Sequence, residues 1–188
     1  MPNKKLVMMM EIAIFTSLGF ILDFFSINFM PQGGGVGFKL IPLIIISYRW
    51  GASAGILGGF LMGMLDLATG IKIYHWAQVF LDYFLANMVI GFVGIFRKQI
   101  QKYIKEQKRK SVLFVTSGSI LIACTLKYLC HVISGVVFFG MFAEGQNVWI
   151  YSIQYNVLYS LPETILIIIC MSILITAAPR LVQTKFSR

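Results

Sequence analysis

Four residues of an otherwise apolar chain carry the polar chemistry: Asp82, His131, Tyr151 and Asn156. Asp82 sits in QVFLDYFLAN (residues 78–87), with Val79, Phe80, Leu81, Phe84 and Leu85 around it. An ionised side chain at the centre of a membrane helix costs roughly 2.5–3.5 kcal/mol, so such a residue ordinarily faces a cavity or a partner. His131, Gly135 and Phe139 recur at steps of four and share one helix face. Tyr151, Tyr155 and Tyr159 form a second stripe, with Asn156 beside it. An acid, aromatic faces and a few hydrogen-bonding groups suit an organic cation with ring nitrogens. The carboxylate offsets the charge, each ring adds roughly 0.5–2 kcal/mol of cation–π attraction, and Asn or Tyr reads polar edges. The plain alternatives are a satisfied core histidine and a tyrosine belt at the membrane interface. Convergence of all four residues on one half of the membrane favours a site.

The remaining acids have simpler readings. Asp23 and Asp66 fall near helix ends, where snorkelling into the interface accounts for them. Glu163, after Pro162, satisfies backbone donors or pairs with Lys127, while Glu106 and Glu144 fall in loops and Glu11 in the first turns of the chain. No catalytic set competes. His131 is a candidate base without a nucleophile beside it, since Ser134 lacks a glycine-flanked turn. The three cysteines, Cys124, Cys130 and Cys170, show no metal spacing. No GxxxxGK[ST] phosphate loop occurs. The expectation is a protein that is not an enzyme and needs no metal or cofactor.

These residues need a membrane bundle to position them. Of 188 residues, 58% are hydrophobic and 12% charged, against about 25% charged in soluble domains, and the mean hydropathy is +0.81. The net charge of +9 does not signal nucleic acid, because the basic residues gather at segment ends and in RKQIQKYIKEQKRK (residues 97–110). That run suits anionic lipid headgroups. The expected fold is an all-α membrane protein, one substrate-binding domain over 1–188. Its six transmembrane helices run about 6–26, 39–49, 51–70, 76–96, 111–142 and 149–178, with a cytoplasmic basic loop at 97–110. The second helix is short of the roughly 20 residues a span needs, and the Gly/Pro stretch INFMPQGGGVGF (27–38) completes its depth. The N-terminal segment reads as a retained helix rather than a signal peptide.

Thirteen of the 16 basic residues fall on one side if both termini are cytoplasmic: Lys4, Lys5, Arg49, Arg97, Lys98, Lys102, Lys105, Lys108, Arg109, Lys110, Arg180, Lys185 and Arg188. Only Lys39, Lys72 and Lys127 lie elsewhere. This orientation obeys the positive-inside rule and puts the Asp82 half outside. Gly51, Gly55, Gly59 and Gly63, four apart, lay a smooth stripe for close packing within the bundle, and Ala13 and Ser17 form a weaker small-xxx-small pair for packing or a subunit contact.

At MPQGGGVGFKLIPLIIISYRWG, HWAQVFLDYFLAN, HVISGVVFFGMFAEGQNVWIYSIQYN and YSLPE the chain resembles the bacterial thiamine transporters, the substrate-binding S components of energy-coupling factor (ECF) transporters. The stretches keep their order over most of residues 7–165. The resemblance implies a six-helix S-component fold in the cell membrane, holding thiamine near the outer face. It implies ligand contacts at Asp82, Tyr83, His131, Gly135, Phe139, Tyr151 and Asn156. Asp82 stands where some relatives have Glu, and Phe139 where some have Trp, a stronger cation–π face. The loop after the first helix closes over the ligand in the family. Phe29 and Met30 are the lid candidates here. The resemblance further implies docking, through the small-residue face at Ala13 and Ser17, onto an ECF module of one transmembrane coupling subunit and two ATP-binding-cassette ATPases. Two other readings are an S component for another cationic heterocycle or a thiamine precursor, and a membrane enzyme or assembly factor.

Overall fold

The computed structural model describes residues 3–69, 73–184 and 186; Lys72, Lys185 and Arg188 lie outside the described residues. Six helices alternate in direction: α1 (Lys4–Asp23), α2 (Leu40–Trp50), α3 (Ala52–Ala68), α4 (Trp76–Lys105), α5 (Arg109–Phe138) and α6 (Val148–Ala177). Four of them, α1, α4, α5 and α6, are long and apolar enough to cross a membrane. Between α1 and α2 lies a small antiparallel hairpin, β1 (Ile27–Asn28) and β2 (Gly35–Val36), pairing Ile27 with Val36 and Asn28 with Gly35.

The short helix α2 is the axis of the bundle. Its 11 residues extend about 16 Å, too little to span. Its sequence LIPLIIISYRW is apolar on every side, the pattern of a fully enclosed helix. Leu40, Leu43, Ile44, Ile46 and Tyr48 have no exposed surface. Pro42 is tolerated because it falls in the first turn, where its missing N–H has no intrahelical acceptor. At the far end Gly51 takes φ +103° and its amide donates to the Ser47 carbonyl at 2.7 Å. A side chain at that φ is strained, so this one glycine lets α3 double back directly.

The glycine series acts inside the bundle, with one difference. Gly51 is the corner, while Gly55, Gly59 and Gly63 line α3 where it meets α4. A Cβ on Gly59 would lie 2.7 Å from the Met88 Cα, and one on Gly63 2.9 Å from the Tyr83 carbonyl oxygen. Gly91 and Gly94 reciprocate from α4 against Ile56 and Ala52. Backbone therefore meets backbone, the close approach that small residues permit.

The expected loop at 97–110 is mostly helix. α4 runs on to Lys105, and only Glu106, Gln107 and Lys108 separate it from α5. The cause is an apolar spacing hidden among the charges. Ile100 is fully buried and packs with Tyr103 and Ile104 in the main core. Gln101 Nε2 donates to the carbonyls of Tyr48 (3.0 Å) and Val182 (3.1 Å). At this same basic end Arg49 binds both carboxylate oxygens of Glu11, at 2.7 and 2.6 Å, and the carbonyls of Leu181 and Gln183. Trp50 Nε1 donates to Glu11 at 2.6 Å.

Gly59→Val is expected to destabilise the protein by about 3 kcal/mol, because the neighbour it would strike is backbone and cannot rotate aside. Thermal unfolding in detergent checks this, and an unchanged midpoint would refute the close-packing account.

Candidate functional site

Every helix except the interior of α2 sends a polar side chain to one cavity at the end opposite the basic cluster. The cavity holds about 210 Å³. Its lining includes Asp23 and Lys39 at the ends of the hairpin segment, Asp66 from α3, and Asp82, Tyr83 and Asn87 from α4. Lys127, His131, Gly135 and Phe139 come from α5 and its end, and Tyr151, Tyr155, Asn156, Tyr159 and Glu163 from α6.

Asp82 sits on a widened turn. Over Phe80–Leu85 helix α4 is wound as a π-helix, and the Ala86 amide reaches back five residues to the Leu81 carbonyl. Such single-turn widenings re-aim side chains and are frequent at functional sites. The Tyr83 carbonyl accepts from Asn87 Nδ2 at 2.7 Å. The Asp82 carboxylate is held by three neighbours: Ser134 Oγ at 2.8 Å and Gln78 Nε2 at 3.0 Å on one oxygen, His131 Nδ1 at 3.1 Å on the other. Its side chain is 14% exposed.

On the opposite wall, Tyr159 donates its hydroxyl to Asn156 Oδ1 at 2.6 Å, and Asn156 Nδ2 donates to the Ser152 carbonyl at 2.8 Å. Asn156 is thus fixed by its neighbours. Gly135 leaves the space that Ser152 and Asn156 occupy, since a Cβ there would lie 3.1 Å from Ser152 Cβ and 3.4 Å from Asn156 Nδ2. The rings of Tyr151 and Tyr155 lie 5.7 Å apart, and Phe139 meets Tyr74 edge-on at 5.0 Å. The hydroxyls of Tyr83 and Tyr151 make no hydrogen bond among the described residues, so they remain free for a ligand.

Two ion networks complete the lining. Lys39 Nζ bridges Asp66 (2.6 Å) and Asp23 (3.0 Å), and Asn87 Nδ2 donates to the second Asp66 oxygen at 3.0 Å. Lys127 pairs with Glu163 at 2.7 Å, the second of the two roles expected for Glu163. The snorkelling expectation fails for Asp66, which is only 5% exposed. Lys39 reaches inward to it instead, because the start of α2 is buried beside the end of α3. Among the cavity residues, four carboxylates face two ammonium groups, leaving two negative charges if His131 is neutral.

The model of the thiamine transporter protein family (Thia_YuaJ) matches residues 9–183. This chain belongs to the thiamine transporter family. It is 42% identical over 186 residues to the thiamine transporter ThiT of Bacillus subtilis, covering 97% of each chain. It is 31% identical to ThiT of Lacticaseibacillus paracasei, covering 97% of this chain and 94% of that one. Its structure superposes on ThiT from Listeria monocytogenes with a TM-score of 0.90 at 29% identity, covering 97% of this chain and all of the other. As a family member it is a multi-pass membrane protein of transport rather than catalysis.

In this thiamine transporter family member, all seven expected site residues, Asp82, Tyr83, His131, Gly135, Phe139, Tyr151 and Asn156, line the one cavity. The lid candidates do not. Phe29 is 52% exposed, and neither it nor Met30 lines the cavity, whereas Asn28, Gln32 and Gly33–Gly35 do. The strand pairing explains this, because it turns the glycine tip rather than the aromatic toward α6. Sequence reading also missed Lys39, Asp66 and Asn87 as lining groups. Their signal was two cations, Lys39 and Lys127, that refused to join the basic side.

Lys39→Met leaves Asp66 buried without its ammonium partner and is expected to destabilise the protein by about 3 kcal/mol. Adding Asp66→Asn should restore most of that loss. Detergent melts of both variants check it, and a Lys39→Met protein as stable as wild type would contradict the account.

Proposed function

We propose that this chain is the thiamine-binding S component of an ECF-type importer. The observation that carries the reading is the cavity's four carboxylates against two ammonium groups among the described residues, walled by tyrosine rings and the Phe139 ring. Thiamine joins a permanently cationic thiazolium to an aminopyrimidine. Carboxylates offset the cation, rings stack on both heterocycles, and hydroxyls read the polar edges. The names carried by the full-length relatives support the same ligand.

Asp82 supplies the charge for the cation, in a carboxylate already oriented by His131, Ser134 and Gln78. Tyr83 and Tyr151 offer free hydroxyls, Phe139 a ring face, and Gly135 the room for Asn156. Because all six helix segments or their caps reach the cavity, residues 1–188 act as one substrate-binding unit. The basic residues at the opposite end argue for both termini in the cytoplasm, with the cavity toward the outside.

The partner is the ECF module, a transmembrane coupling subunit with two ATP-binding-cassette ATPases. Ala13 and Ser17 are exposed on α1, while Ile12, Thr16 and Gly19 on its other face are buried. A small-residue face left open on an apolar helix permits close approach by a second helix.

Calorimetric titration of the purified protein is expected to show saturable thiamine binding, weakened about 10- to 100-fold in Asp82→Asn, as for loss of a charge-assisted contact. Unaltered affinity in that variant would sink the charge-balance role. Competition by the free pyrimidine moiety at equal strength would point instead to a thiamine precursor. Ala13→Trp should bind thiamine normally but abolish uptake by cells carrying the ECF module. Surviving uptake would place docking elsewhere.

A further inference from the structure

The segment between α1 and α2 crosses the cavity and is tied at both ends. At its base Lys39 Nζ meets Asp23 Oδ2 at 3.0 Å. At its tip the Tyr155 hydroxyl, on α6, accepts from the Gln32 amide at 2.9 Å and donates to the Gly33 carbonyl at 3.0 Å. One hydroxyl thus uses both its acceptor and its donor capacity on adjacent peptide groups of the tip. Gly33 and Gly34 turn the chain there with φ of +99° and +117°, and a Cβ on Gly34 would lie 2.7 Å from the Tyr159 ring.

This clamp fixes the backbone of Gln32, whose side chain lines the cavity. The Gln32 carboxamide oxygen is buried and has no hydrogen-bond partner among the described residues. Buried side-chain acceptors are ordinarily satisfied; here the oxygen itself is enclosed, and a half-turn of the carboxamide, whose two ends are nearly the same in shape, presents it to the cavity that Gln32 borders. We propose that Tyr155 is a positioning residue that clamps the hairpin tip by its hydroxyl, so that the Gln32 carboxamide oxygen accepts a hydrogen bond from the bound ligand. The ligand's identity rests on the thiamine reading; thiamine carries two donors, its amino group and its terminal hydroxyl.

Thiamine affinity of the full-length protein is measured for wild type, Gln32→Met, Tyr155→Phe and the double variant. Each single change should weaken binding about tenfold, as for one lost hydrogen bond. The double variant should bind like either single variant rather than about a hundredfold more weakly, because the hydroxyl acts through Gln32. In ligand-free protein, Tyr155→Phe should speed amide hydrogen exchange over residues 30–36 while leaving α1 and the rest of α6 unchanged. Unaltered affinity in Gln32→Met would overturn the ligand contact. Multiplicative losses would overturn positioning through Gln32, and unchanged exchange at the tip would overturn the clamp. If wild type leaves thiamine unbound, the function reading fails and the Gln32 contact to thiamine fails with it. The exchange measurement still decides the clamp.

Discussion

Charge buried in an apolar bundle is the constraint on which the rest of this molecule depends. Asp66, Asp82 and Glu163 are embedded in helices whose surroundings are hydrocarbon or protein, where an unpaired charge is expensive. Each is therefore answered: Asp66 by Lys39 and Asn87, Glu163 by Lys127, and Asp82 by Ser134, Gln78 and His131. The answers come from other helices, apart from Gln78 on Asp82's own, so the pairings draw α3, α4, α5, α6 and the start of α2 around one centre. The cavity is what remains between these partners. The same constraint acts at the basic end, where Arg49 joins Glu11 to the carbonyls of Leu181 and Gln183.

Close packing lets those pairings form. The Asp66–Asn87 hydrogen bond requires α3 and α4 to approach at backbone distance, and the facing glycines allow it. Helix α2, buried along its length, ends at the cavity in Lys39 and at the opposite end in Arg49 and Trp50. A helix that spanned the bilayer could not present both ends inside the bundle. Its shortness is a structural device, and the hairpin before it covers the space that its missing turns leave open.

The cavity combines firmly held and free groups. Asn156 and Asp82 are oriented by several neighbours each, which on the proposed reading would lower the ordering cost of binding. The hydroxyls of Tyr83 and Tyr151 are the adaptable groups. Among the described residues, the four carboxylates of the cavity outnumber its two ammonium groups.

The residue types and their spacing were enough to read a membrane bundle of six helices, and seven of the cavity's residues, from the sequence. Apolar runs separated by Gly, Pro and charges are local signals, and the helical period places His131 and Gly135 on one face, with Phe139 at the residue that ends α5. The continuation of α4 through residues 97–105 was hidden because Ile100, Tyr103 and Ile104 are outnumbered by the basic residues Arg97, Lys98, Lys102 and Lys105. Their burial depends on α2 and the last turn of the chain, which a local pattern does not contain. The roles of Lys39, Asp66 and Tyr155 were likewise decided only by tertiary structure, since each acts on a group more than 20 residues away: Lys39 on Asp66, Asp66 on Asn87, Tyr155 on Gln32. Sequence determines which side chains are chemically able to bind a cation. Chain folding decides which of them face one another, because pairing energy depends on distances that only packed helices set.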